Sequence, residues 1–107
     1  MAEPEIKVEF HHKFVKWRSK LKDADAEALI AMRLKRIREK GNFGDQEFVG
    51  GGVWELRVFY GPGYRLYYMW TGGKIVLLLG GGVKTGQKID IKRAKRLAKE
   101  VKREKGK

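Results

Sequence analysis

The sequence predicts a single α+β domain of order β-α-α-β-β-β(-α), and three observations predict it. Residues 53–84, VWELRVFYGPGYRLYYMWTGGKIVLLLGGGVK, read as three consecutive strands joined by two glycine-marked turns. The stretch before them carries its apolar residues at helical spacing. Strands that follow a helical pair, with no βαβ alternation, argue against a parallel doubly wound sheet. The 107 residues suffice for one compact domain, 1–107, and are too few for two.

Ile6–Phe10 is a short candidate strand. Phe10, Phe14, Trp17 and Leu21 recur at i, i+4, i+7 and i+11, one stripe of an amphipathic helix. Asp23 is the expected N-cap of a second helix, with Asp25 and Glu27 at its positive end and Arg38 and Lys40 at its negative end. Ala26, Ile30, Arg33 or Leu34, and Ile37 give its inner face, and Gly41 terminates it. Asn42–Asp45 is a turn, and Gln46–Val49 a possible further strand ended by Gly50–Gly52. Ile75–Leu79 is apolar throughout, which predicts a central strand covered on both faces. Asp90 is the expected cap of a last helix with Ala94, Leu97, Ala98 and Val101 as its apolar stripe, and Glu104–Lys107 is expected to be disordered.

Charge is unevenly distributed. The net charge is +12, and residues 84–107 carry 11 basic and three acidic side chains, two thirds of the excess. A basic C-terminal segment of this kind favours a polyanion or an acidic protein partner. Without cysteine the chain forms no disulfide or thiolate metal site, which fits a reducing compartment. The acidic start and the lack of an 18-residue apolar run predict a cytoplasmic protein with no membrane association.

The three strands place polar side chains together. Trp54, Leu56, Val58 and Tyr60 share one face, leaving Glu55, Arg57 and Phe59 on the other; Tyr64, Leu66, Tyr68 and Trp70 oppose Arg65, Tyr67 and Met69. With Gly61-Pro62-Gly63 at the hairpin tip, Tyr60 pairs with Tyr64 and Phe59 with Arg65. Arg57 then lies diagonal to Arg65, at roughly 7–8 Å. Two arginines beside a carboxylate suggest a phosphate site; ordinary solvated charge on the wet face of an antiparallel sheet is the other reading.

Other motifs fail. GGGVKT ends like a P-loop, but Val83 stands where the motif needs Gly before Lys84, and Gly86 follows. No glycine spacing gives a dinucleotide fingerprint, adjacent His11 and His12 are expected at the surface where the first helix starts, and no paired carboxylates suggest a two-metal centre. The expectation is no metal and no cofactor. Arg57, Arg65 and Lys84 remain, with Glu55, Tyr60 and Tyr67 nearby. On RNA such a set suffices for chemistry, because the 2′-hydroxyl already sits beside the phosphate. The protein need only accept its proton, stabilise the phosphorane and protonate the leaving 5′-oxygen. Arginine's planar fork suits the second task. Glu55 or a lysine is a candidate base, and a tyrosine or Lys84 a candidate acid.

FVKW…LKD at 14–23, IAMRLKRIREKGNFGD at 30–45, GGGVWELRVFYGPGYRLYY at 50–68 and LLLGGGVKTGQKIDIKRA at 77–94 together cover nearly the whole chain. In this unbroken order, with GPGYRLYY followed by GGxKxxQxxDIxxA, the chain resembles the RelE/ParE superfamily of toxins from type II toxin–antitoxin modules, in its phage-type addiction module killer, HigB-like branch. The resemblance implies a RelE-like domain with a twisted antiparallel sheet and helices on one side. It also implies metal-independent cleavage of mRNA in the ribosomal A site to a 2′,3′-cyclic phosphate, and an antitoxin that silences the protein in a hetero-oligomer. The arginine of the family's Gly-Tyr-Arg strand matches Arg65, the basic residue of the preceding strand Arg57, and the basic residue beyond the last strand Lys84. Where RelE-type enzymes carry lysines before the hairpin and an aromatic or His near the end, this chain has Glu55 and Asp90, and Thr85 replaces a second Lys.

The candidate catalytic residues are thus Arg65, Arg57, Lys84 and Glu55, and the candidate RNA-binding residues Tyr67, Lys88, Lys92, Arg93 and Arg96. The leading expectation is a ribosome-dependent endoribonuclease toxin whose partners are antitoxin, ribosome and mRNA. The alternatives are a ParE-like gyrase poison and a decayed binding module.

Overall fold

The computed structural model describes residues 6–105. In chain order they form β1 (Lys7–Phe10), α1 (His12–Ser19), α2 (Ala24–Lys40), β2 (Gln46–Gly50), β3 (Val53–Val58), β4 (Tyr64–Thr71), β5 (Ile75–Val83), a 3₁₀ turn (Lys84–Gly86) and α3 (Gln87–Lys105). The strands make one sheet in the order β1-β5-β4-β3-β2. β2, β3, β4 and β5 form an antiparallel meander, and β1 adds to β5 in parallel. The α+β class and strand meander follow the expectation; one parallel pair makes the sheet mixed rather than wholly antiparallel.

Helices cover both faces of the sheet, not one. α1 and α2 pack Phe14, Ala26, Ile30, Leu34 and Ile37 against Leu56, Val58, Tyr64, Leu66, Tyr68, Val76 and Leu78. α3 packs Ala94, Leu97, Ala98 and Val101 against Val53, Tyr67, Met69 and Leu79 on the opposite face. This explains why Ile75–Leu79 is apolar at every position: β5 is interior to the sheet, and its alternate residues enter two different cores.

The second helix starts and stops where its caps require. The Asp23 carboxylate accepts from the backbone N–H of Asp25 and Ala26 at 3.0 and 3.2 Å, and Gly41 closes the helix in the left-handed region at φ 64°. Leu34 takes the core position, while Arg33 turns aside to donate to the carbonyls of Phe43 and Asp45 at 2.6 and 3.0 Å and to that of Arg57. It thereby ties the turn before β2 to the end of β3. The stripe assigned to the first helix divides: Phe10 belongs to β1, and Leu21 lies beyond the end of α1.

Three expectations are corrected. The β3–β4 ladder pairs Val58 with Tyr64 and Arg57 with Arg65, so the two arginines are directly opposite rather than diagonal. The chain leaves the ladder after Val58 because the Tyr60 N–H turns back to the Val58 carbonyl and the Gly63 N–H to that of Tyr60. The connection is therefore five residues long. Asp90 does not cap α3: the helix starts at Gln87, straight from the 3₁₀ turn, and Asp90 sits inside its first turn. Glu104 and Lys105 are helical rather than disordered, and Lys107 lies outside the described residues together with Gly106.

Candidate functional site

The register of β3 and β4 brings Glu55, Arg57, Arg65 and Tyr67 to the α3 face of the sheet. Glu55 is fully buried, and its carboxylate is heavily engaged. The Gln87 side-chain amide donates to both oxygens at 3.0 and 2.8 Å, and the Arg57 Nε donates to one at 3.2 Å. The Arg65 Nε lies 3.9 Å from the same oxygen, an ion pair without a hydrogen bond. Arg57 also reaches across to Glu47 on β2 at 2.5 Å, so one guanidinium joins two carboxylates. The hydrogen bond that Arg57 donates to Glu55, with the Glu47 charge behind it, holds the Arg57 pKa above its ordinary value.

Arg65 differs from Arg57. It is only 6% exposed, and its Nε and one terminal nitrogen are buried with no hydrogen-bond partner. A guanidinium so placed is costly to leave unpaired, and a ligand with two acceptor oxygens would satisfy it. Lys84 sits beside it. The Lys84 backbone N–H donates to the Gly63 carbonyl at 2.8 Å, and a Cβ added at Gly63 would lie 3.4 Å from the Lys84 Cβ and 3.7 Å from an Arg65 guanidinium nitrogen. Gly63, at φ 80°, thus lets the hairpin loop close over the spot where Arg65 and Lys84 meet. The Lys84 side chain is exposed.

The predicted RNA-binding residues divide. Tyr67 is 1% exposed, its hydroxyl has no partner, and burial together with the Glu55 carboxylate pushes its pKa up. With Arg93 and Arg96 it lines a cavity between the sheet, α1 and α3. Lys88 and Lys92 lie outside that cavity on the exposed side of α3. His11 is the N-cap of α1, its Nδ1 accepting from the Lys13 N–H at 3.1 Å, and burial lowers its pKa. Tyr60 turns away from the site toward Asp23 and Asp25, at 3.4 Å from each. Among the described residues no group of three or more His, Asp or Glu side chains is placed to hold a metal ion.

Sequence reasoning missed Gln87, which stands 32 positions from the carboxylate it binds. The signal was its place in GGxKxxQxxDIxxA, one helical step after Lys84. It also missed why Gly82 is glycine: a Cβ there would fall 2.0 Å from the Asp90 Oδ2. Asp90 is thus pressed against the strand rather than used as a cap, and its burial raises its pKa.

Solved structures share this fold. The chain is similar to E. coli toxin RelE, as a double mutant in the free state, with a TM-score of 0.67 and 18% identity over 86% of this chain and 97% of that one. It is also similar to a chain of the intact E. coli RelBE toxin–antitoxin complex, with a TM-score of 0.60 and 19% identity over 73% and 95% of the two chains. The fold is therefore that of the RelE-type toxins. Residues 11–103 match the family "Phage derived protein Gp49-like (DUF891)", and the chain belongs to that family. An uncharacterized protein of Haemophilus influenzae is 49% identical over 88 residues, covering 82% of this chain and 88% of that one. Family and fold both agree with the resemblance drawn from the sequence. Among the described residues no helix is long and apolar enough to cross a membrane.

Proposed function

We propose that this protein is the toxin of a toxin–antitoxin pair and acts as a metal-independent, ribosome-dependent mRNA endoribonuclease. The observation that carries this reading is the buried Arg65 guanidinium, with two nitrogens unpaired beside Lys84 and directly opposite Arg57. A scissile phosphate offers the acceptors it lacks. As the 2′-oxygen attacks, negative charge grows on the phosphorane oxygens, and the buried Arg65 stabilises it with help from the more exposed Arg57.

Glu55 serves this chemistry by position. Its carboxylate is committed to Gln87 and Arg57, so it orients the arginines. Lys84 is exposed at the rim and has free access to the 2′-hydroxyl or the leaving 5′-oxygen, the role of a proton-transfer group.

RelE is described in complex with RelB in the intact RelBE structure, which supports an antitoxin partner for this chain as well. The exposed basic side of α3, with Lys88, Lys92 and Arg96, suits ribosomal RNA, and binding through it weakens as salt rises. The test is primer extension on a defined mRNA in a bacterial translation extract, with and without ribosomes. Codon-phased cuts that require ribosomes are expected. Intact message alongside growth arrest in cells would overturn the reading and point to gyrase.

A further inference from the structure

β1 covers β5 only as far as Leu78, so beyond that residue β5 has no strand neighbour on its outer side among the described residues. That open edge faces a cavity of about 360 Å³ between α1 and α3, a volume within the usual range of small-molecule sites. Gly80 and Gly81 form its floor, and Trp17 and Tyr67 supply aromatic walls. The floor must be glycine where the indole lies on it: a Cβ at Gly81 would be 2.5 Å from the Trp17 ring. The Tyr67 hydroxyl is buried behind its aromatic wall, beside the Glu55 carboxylate. Lys13, Arg93 and Arg96 outnumber the two lining carboxylates, Asp90 and Glu100, so the rim is cationic on balance.

The cavity adjoins the phosphate cluster. Gly82 is the register partner of Arg65 and Gly80 that of Tyr67. On the face that carries Arg65, the floor residue Gly80 therefore lies two residues along β5 from the arginine's partner, roughly 6.6–6.8 Å away at strand rise. We propose that this cavity is a nucleobase pocket that receives the base attached to the phosphate held at Arg65 and favours bases with an exocyclic amino group. Flat glycine and aromatic surfaces suit a stacked ring, and single-stranded RNA is read by such stacking together with hydrogen bonds to the base edge. The Asp90 carboxylate accepts from the amino group of adenine, cytosine or guanine, which uracil lacks. A protein side chain would fill the walls equally well, but the cationic rim and the adjoining phosphate cluster favour a nucleotide. The proposal rests on the reading of Arg57, Arg65 and Lys84 as a phosphate site.

The test titrates the ¹⁵N-labelled full chain with 3′-AMP, 3′-CMP, 3′-GMP, 3′-UMP and inorganic phosphate. The Trp17 indole N–H and the Gly80 and Gly81 amides report the cavity; the Gly82 amide and the Arg65 Nε–H report the phosphate cluster. The three amino-bearing nucleotides are expected to shift both sets, phosphate only the second, and 3′-UMP to bind several-fold more weakly. Asp90→Asn should narrow the gap to 3′-UMP. If all four nucleotides move only the cluster signals, the base pocket is wrong while the phosphate site stands. If neither nucleotides nor phosphate move any signal, both fail. A cavity that ignores nucleotides but binds an aromatic peptide would make it a protein-docking site and overturn the proposal.

Discussion

Tyr67 and Tyr68 are neighbours on β4, both 1% exposed, and they face opposite sides of the sheet. The Tyr68 hydroxyl donates to the Gln46 side chain at 2.6 Å; the Tyr67 hydroxyl has no partner. The same contrast runs along the strand. The α1/α2 face holds Tyr64, Leu66 and Tyr68 in a closed core. The α3 face holds Arg65, Tyr67 and Thr71, and these carry the unpartnered buried side-chain nitrogens and oxygens found among the described residues. Folded proteins pair most such groups with protein or water, so the contrast separates a face closed by protein contacts from one that is not. On the function proposed above, one side of β4 serves stability and the other serves binding.

Substitutions can break or sharpen that division. The largest effect belongs to the closed face: Phe14→Ala removes a fully buried ring and should cost about 3–5 kcal/mol in urea unfolding, the range for such a cavity. Next comes the clamp on Glu55. Gln87→Ala strips two donors from a buried carboxylate and should lower stability by about 1–3 kcal/mol, and it should slow RNA cleavage because Arg57 and Arg65 lose their fixed neighbour. If Gln87→Ala changed neither, the clamp would be incidental.

The two tyrosines give the cleanest contrast. Tyr68→Phe loses a made hydrogen bond and should cost about 0.5–1.5 kcal/mol, while Tyr67→Phe deletes an unpaired hydroxyl and should be neutral or stabilising by the same unfolding assay. Equal losses would contradict the division.

The smallest effect is a pH dependence at His11. Burial, followed by the nearby His12 and Lys13 charges, lowers its pKa in the folded protein, so the unfolded chain takes up the proton first. Its contribution is present above the unfolded pKa of about 6.5 and is lost as pH falls below it, where protonation also removes the Nδ1 acceptor for the Lys13 N–H. His11→Ser, another capping residue, should flatten the unfolding midpoint between pH 7.5 and 5.5 relative to the parent chain, a window set on either side of that pKa.

What could be read from the chain was local. Asp23 and Gly41 bound α2 because caps act over three or four residues, and period-two alternation assigned the side chains of residues 54–58 and 64–70 to their faces. Arg57, Arg65 and Glu55 were found together for that reason. What stayed hidden depended on distant contacts. The hairpin register moved because the chain leaves the ladder at Val58, so the five residues after it form the loop. The parity survived, and with it the shared face. The parallel β1–β5 pair joins segments about 70 positions apart, and no periodicity reports it. α3 on the second face was missed because its stripe reveals that it packs, not what it packs on. Asp90 fits the pattern of a cap, yet a bare Gly82 beneath it draws it against the sheet instead.

The central claim is that Arg65 is buried for a substrate rather than for the fold, and one paired measurement on Arg65→Ala tests it most directly. The variant and the parent chain would be compared for urea unfolding and for mRNA cleavage in the ribosome-containing extract. Loss of a transition-state donor predicts cleavage slower by about 10²–10³ with the fold retained, because the Arg65 Nε makes no hydrogen bond and Glu55 keeps those from Gln87 and Arg57. Full cleavage activity, or loss of activity only in step with loss of the fold, would contradict it.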